Sequence, residues 1–212
     1  MEIRAYSELY IESAQNVLGH MFDFAINEME IDPDSFAMLF ATSPFARQIE
    51  RGNPKFVAGM TGPELAKKIV VNAGVTYKDS PEIMYADRSP EYWGGWVLAY
   101  YQWMRDRSFA DILNAVSYGM IIKMYRIYHE MDISKFVDAI DEKMAQQYPD
   151  TPLRRHRDVL NISQKELSQR ADVPIRQIQL FEQRRRDIKK AQAITVLKLS
   201  KALECSVEDL LN

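Results

Sequence analysis

The chain is predicted to be all-α, with an N-terminal helical domain over residues 1–150 and a smaller C-terminal domain of five helices over 151–212. Three observations predict this. Apolar residues recur three or four apart through most of the 212 residues, the period of a helix with one buried face. Ser, Thr or Asp, often with Pro at the next position, opens segment after segment, as at a capped helix start. Charge also divides the chain: residues 151–212 hold 13 Lys plus Arg against 8 Asp plus Glu, while the first 150 hold 14 against 22. A basic module carried by an acidic companion suits nucleic-acid binding.

The first helix is expected over Tyr6–Met29, with Leu9, Ala14, Val17, Leu18, Met21, Phe22, Ala25 and Ile26 on its buried face. Asp32, Pro33 and Asp34 break it and start a second through Phe36, Leu39 and Phe40, and Ser43 with Pro44 starts a third reaching Arg51. Gly52–Gly62 reads as a loop. Thr61 caps a helix carrying Leu65, Ile69 and Val70, which Gly74 ends. Val75–Arg88 shows no clear period and is expected to be irregular or to hold a short strand or turn.

Ser89 and Pro90 open a helix over Glu91–Arg105 that contains Tyr92, Trp93, Trp96, Tyr100, Tyr101 and Trp103. These rings are expected to dominate the core of the first domain, and Tyr92, Trp93, Trp96, Tyr100 and Trp103 are also the surface on which a partner or ligand would be sought. Gly94 and Gly95, each costing a helix about 1 kcal/mol against Ala, suggest close approach by another helix. Ser108 and Ser117 cap two further helices, the second carrying Met120, Ile121, Met124, Ile127 and Tyr128; Asp132 or Ser134 caps the last, with Phe136, Val137, Ile140 and Met144 as its stripe. Tyr148–Pro152 is a link too short for a flexible tether.

Nothing in this domain has the spacing of an active site. His20, His129 and His156 are scattered with no ligand partner at helical spacing, and Gly59-Met-Thr-Gly62 lacks the spacing and the Lys of a phosphate loop. Asp106, Asp111, Asp138 and Asp141 read as solvated helix faces. No enzyme activity, metal or cofactor is expected. The single cysteine, Cys205, makes no internal disulfide and takes a small apolar position, no apolar run has the length of a membrane helix, and Met1–Gly19 is amphipathic, unlike a signal peptide. Cytoplasm, without membrane contact, is the expected location.

In the C-terminal domain a first helix spans Pro152–Leu160, ended by Asn161, which tolerates left-handed backbone. Ser163 and Glu166, three apart, make a capping box for a second helix, Gln164–Ala171. Asp172, Val173 and Pro174 form a turn, and Ile175–Gln183 is a third helix with Ile178 and Phe181 inward. Arg176, Gln177 and Gln179 stand on its other face, followed by Arg184, Arg185 and Arg186. A fourth helix, from about Ala191 to Leu203, is expected to bury Ile194, Leu197 and Leu199, and Ser206 caps a fifth with Val207, Leu210 and Leu211.

Residues Leu153–Leu211, with the opening Ser163-Gln-Lys-Glu-Leu167, resemble the lambda-repressor-like helix-turn-helix of the XRE family. The resemblance implies an operator-binding domain. Gln164 matches the glutamine that touches a phosphate and braces the reading helix, Leu167 and Ile178 the residues that lock the two helices together. Arg157 and Glu182 match a structural ion pair, and Ile175, Arg176, Gln179 and Leu180 fall where base edges are read; Gln177 is added because of its length and position. Arg154, Arg155, Arg184, Arg185, Arg186, Lys189 and Lys190 are expected on phosphates. Three departures stand out: Asp172 replaces a glycine, Pro174 replaces a capping Ser or Thr so that either it is the first helical residue or Asp172 caps, and three extra residues lengthen the region around Ile188–Gln192.

Ser89–Trp103 further resembles helical regions found ahead of such modules in regulators of toxin-antitoxin-like operons. The expectation is therefore an antitoxin-like autorepressor, binding a double-stranded DNA operator as a homodimer and a toxin through its N-terminal domain. The alternative is a regulator controlled by a small ligand among the aromatics of Tyr92–Trp103.

Overall fold

In a computed structural model, residues 4–81, 88–148 and 150–211 are described. They form fourteen α-helices and, among the described residues, no strand. By internal contacts the chain divides into Met1–Gln147 and Tyr148–Asn212.

The helix starts lie where capping side chains stand. After a 3-10 turn, Glu8–Tyr10, helix α1 runs Ile11–Asp23 and continues into a π-helical turn, Phe24–Glu28. The turn leaves Leu9 exposed rather than on the buried face expected of it. Asp32 accepts from the Ser35 amide to start α2 (Pro33–Thr42), and Ser43 accepts from Ala46 to start α3 (Pro44–Glu50). Within the expected loop Asn53 caps a single turn, α4 (Pro54–Val57), too short to show a period. Thr61 caps α5 (Gly62–Ala73), which Gly74 closes at φ 66°. Residues 75–81 hold neither helix nor strand; Ser80 Oγ donates to the Glu28 carbonyl at 2.9 Å and Lys78 Nζ reaches Glu30 at 2.6 Å. Part of the Val75–Arg88 expectation lies outside the described residues.

Ser89 caps α6 (Pro90–Arg105), Ser108 caps α7 (Phe109–Ala115), Ser117 caps α8 (Tyr118–Tyr128), and Asp132 accepts from the Ser134 amide at the start of α9 (Ile133–Gln147). Helices α1 and α6 cross at backbone contact. A Cβ built on Gly95 would overlap the Leu18 carbonyl and stand 3.0 Å from Gly19 Cα, and one on Gly94 would stand 2.9 Å from the Tyr118 hydroxyl. Close approach thus accounts for both glycines. The aromatic centre lies elsewhere than expected: Phe22 stacks on Tyr118 at 3.9 Å and meets Phe36 and Phe40 edge-on, and Phe40 packs on Phe109. From α6, Tyr92, Tyr101 and Trp103 are buried, but Trp93, Trp96 and Tyr100 are only half-buried. Met120 and Ile127 of α8 are exposed. Of the four carboxylates expected on solvated faces, Asp106 is buried in the left-handed turn ending α6, and Asp141 accepts from Tyr101 Oη at 2.7 Å and from Arg105 Nη2 at 2.6 Å.

The second unit contains α10 (Pro152–Val159), α11 (Gln164–Ala171), α12 (Ile175–Glu182), a 3-10 turn Ile188–Lys190, α13 (Ala193–Ala202) and α14 (Val207–Leu211). Its core gathers Leu153, Leu167, Ile178, Phe181, Leu199 and Leu210. On α13 the buried stripe is Thr195, Val196, Leu199 and Ser200, whereas Ile194 and Leu197 are 55% and 40% exposed, contrary to expectation. Cys205 packs partly against this core, and burial, helped by Asp209, pushes its thiol above the ordinary value. Among the described residues no helix is long and apolar enough to cross a membrane, and no three His, Cys, Asp or Glu side chains gather as metal ligands.

Candidate nucleic-acid interface

The geometry around α11 and α12 begins with two local devices. Ser163 Oγ accepts from the Glu166 amide at 3.1 Å while Glu166 Oε2 accepts from the Ser163 amide at 2.7 Å, closing the capping box. Held by that amide, the Glu166 carboxyl lies below its ordinary pKa. At the other end Asp172 takes the left-handed conformation, φ 48°, that a glycine would adopt without strain. Its carboxylate accepts from Lys198 Nζ of α13 at 2.7 Å, which also lowers its pKa, and Ser168 Oγ donates to the Val173 carbonyl at 2.7 Å. Lys198 and Ser168 as braces of the turn were not foreseen, because both act through three-dimensional proximity.

Pro174 is the N-cap of α12, at φ −53° and ψ 131°, with no side-chain cap. Neither expected alternative holds: Pro174 is not the first helical residue and Asp172 does not cap. The first helical residue is Ile175, which fixes the face on which each following side chain stands.

Three helices meet at one carboxylate. Arg157 of α10 donates from Nε to Glu182 Oε1 at 2.7 Å and from Nη2 to Oε2 at 3.2 Å, and Gln164 of α11 donates from Nε2 to the same Oε2, at 2.7 Å. Arg157 Nη1 further donates to the Ile162 carbonyl at 2.9 Å and lies 2.8 Å from Asp158. The side chains of Arg157 and Glu182 are 12% and 4% exposed, so their bonds stand in a medium that screens little. Burial opposes the Arg157 charge, but its bonds to Glu182 and the charges of Glu182 and Asp158 outweigh this and hold its pKa above the ordinary value. Such a junction fixes α12 against α10 and α11.

On α12 itself Ile178 and Phe181 are buried, Arg176 is exposed, and Ile175, Gln177 and Leu180 are half-buried. Gln179 departs from its expected place: it is buried at 6% exposure, with Nε2 3.5 Å from Gln164 Oε1. Its amide belongs to the α11–α12 contact rather than to the open face. The Gln164 amide is likewise turned inward, between Glu182 and Gln179.

The expected phosphate-binding residues separate into groups. Arg155, Arg184, Arg186 and Lys189 line one cleft of about 490 Å³ together with Asp150 and Asp187. Arg184, at φ 57°, follows the Gln183 C-cap of α12. Lys189 and Lys190 are exposed on the 3-10 turn capped by Asp187, and α13 starts only at Ala193. Arg154 is exposed and paired with Asp150 at 3.2 Å and Asp158 at 3.5 Å; exposed pairs are worth up to about 1 kcal/mol, which a phosphate can displace. Arg185 is half-buried, with Nε and Nη2 shielded from solvent.

In the first unit the five aromatic residues named as one surface are split. Tyr92, Trp93 and Trp96 line a groove between α6, α8 and α9. Tyr100 instead packs on Trp103 at 5.7 Å, and Trp103 Nε1 donates to the Tyr6 carbonyl while Arg4 covers its ring. Comparison with protein-family models, with curated proteins and with solved structures finds no match to this chain.

Proposed function

We propose that this protein is a sequence-specific DNA-binding transcriptional regulator that reads base edges with α12. The observation that carries the reading is the Arg157–Glu182–Gln164 junction, which joins α10, α11 and α12 and leaves Arg176 exposed on the side of α12 opposite the buried Ile178, two residues on. A helix held this firmly presents its polar face without paying entropy on binding, and an α-helix fits the major groove. Arg176 donates two hydrogen bonds to guanine O6 and N7, and Gln177 and the apolar Ile175 and Leu180 flank it against neighbouring edges. Lys189, Lys190 and the arginines of the basic cleft hold phosphates. A single module grips little DNA, so the reading includes a homodimer on a two-fold site with half-sites about 34 Å apart.

Selection of duplexes from a random pool by the full chain tests this. A two-fold motif is expected, and Arg176→Ala is expected to lose preference at one position of each half-site; an enriched pool without a motif, or the same motif from the variant, contradicts the reading.

The further role of an antitoxin-like autorepressor rests on the resemblance of Ser89–Trp103 alone. Its test is co-expression with the product of the adjacent gene. A stoichiometric complex that relieves growth arrest by that product is the expected result; the absence of a complex removes the toxin while leaving DNA binding untouched.

A further inference from the structure

The groove between α6, α8 and α9 has a volume of about 350 Å³, within the usual range of small-molecule sites, roughly 300–1,000 Å³. Its walls are rings supplied by all three helices and locked against one another. Trp93 of α6 meets Tyr125 of α8 edge-on at 5.6 Å and Phe136 of α9 edge-on at 5.5 Å, so these three rings are held in place before the groove fills. Trp93 and Trp96 stay half-buried although the neighbouring α6 residues Val97 and Leu98 are fully withdrawn. Aromatic surface is thus left open to a concave space.

The polar groups of the lining all sit with positive or neutral chemistry. Arg88 holds its guanidinium 4.8 Å over the Tyr92 ring. His129 stacks on Tyr125 at 4.2 Å, with Nδ1 2.7 Å from the Tyr125 carbonyl, and Glu130 lies 3.6 Å from its Nε2. Among the described residues no carboxylate lines the groove. An aromatic cage built for a quaternary ammonium gains from a neighbouring negative charge and loses from a guanidinium. This groove has the reverse arrangement.

We propose that the groove binds a small planar aromatic anion, its ring against the open faces of Trp93 and Trp96 and its carboxylate on Arg88. The inference stands on the first unit alone and is independent of the DNA-binding reading.

Calorimetric titration of the full chain with 2-naphthoate tests it, with the uncharged 2-naphthamide and tetramethylammonium as comparisons. One naphthoate per chain is expected, with 2-naphthamide weaker by about ten-fold or more, the loss of one charge-assisted hydrogen bond. Arg88→Gln, an exposed position, is expected to bring naphthoate down to the affinity of the amide, and Trp96→Ala to remove binding while circular dichroism keeps its helical signal. No binding of naphthoate at millimolar concentration overturns the proposal. So do equal affinities for acid and amide, an Arg88→Gln variant that binds naphthoate as the parent does, or tighter binding of tetramethylammonium.

Discussion

A buried ion pair is costly to break from one side, because the remaining charge keeps its desolvation penalty and loses its partner. Arg157→Met leaves Glu182, 4% exposed, facing only Gln164. Stability of α11 and α12 is expected to fall by about 3–5 kcal/mol, read as faster hydrogen exchange at the Leu167 and Ile178 amides; exchange at parental rates contradicts a structural role for the pair. Arg176 works in the opposite sense. On the proposed reading its replacement by Ala is expected to cost about 1–3 kcal/mol of discrimination at one base pair. Exposed carboxylates add a pH dependence whose sign is set by their hydrogen bonds. Glu166 accepts from the Ser163 backbone, Asp209 from the Ser206 hydroxyl and Asp172 from Lys198, and all three lie below their ordinary pKa. Groups depressed in the folded chain stabilise it fully above the unfolded carboxylate range, about pH 4, and lose that contribution as pH falls through the folded values. Thermal midpoints are therefore expected to drop as pH is lowered from 5 to 3, less steeply in Glu166→Gln; an identical slope in the variant contradicts the capping-box cause.

Gly95→Ala separates propensity from packing at the level of the element. Ala favours a helix over Gly by about 1 kcal/mol, yet the added methyl overlaps the Leu18 carbonyl of α1, backbone that cannot rotate away. Lower thermal stability is expected from the variant, and a rise would contradict backbone contact between α1 and α6. Elements such as α2, α3, α6 and α11 were legible because Asp32, Ser43, Ser89 and Ser163 each announce a start through a side chain that bonds the third amide on. Four-residue α4 was not, since one turn between Gly52 and Gly59 has no room for a period. On α13 apolar residues occupy two adjoining stripes, and the small polar Thr195 and Ser200 took buried places while Ile194 and Leu197 faced out; hydrophobicity alone does not say which stripe meets the core. In the candidate interface the Arg157–Glu182 pair was expected from the helix-turn-helix resemblance, and the outward place of Arg176 from spacing along α12. The inward turn of Gln179 was not, because it depends on two amides meeting across helices, and neither was the groove between α6, α8 and α9, whose walls come from three distant segments.

Across the whole molecule the charge balance of −3 conceals a basic C-terminal region and an acidic remainder, so the affinity for DNA is expected to be steeply dependent on salt. Each phosphate neutralised contributes about 0.9 to the slope of log K against log salt. Lys189→Ala or Lys190→Ala is expected to lower that slope by nearly one and to weaken all duplexes alike, the counterpart of the base-specific loss at Arg176; a change confined to one sequence would assign the lysine to base reading instead. The central claim is tested most directly by the affinity of the full chain for a duplex spanning its own promoter against a shuffled duplex of the same length, titrated at fixed ionic strength. A preference of about a thousand-fold or more for the promoter, falling in Arg176→Ala, is the predicted result. Equal affinity for the two duplexes would contradict it.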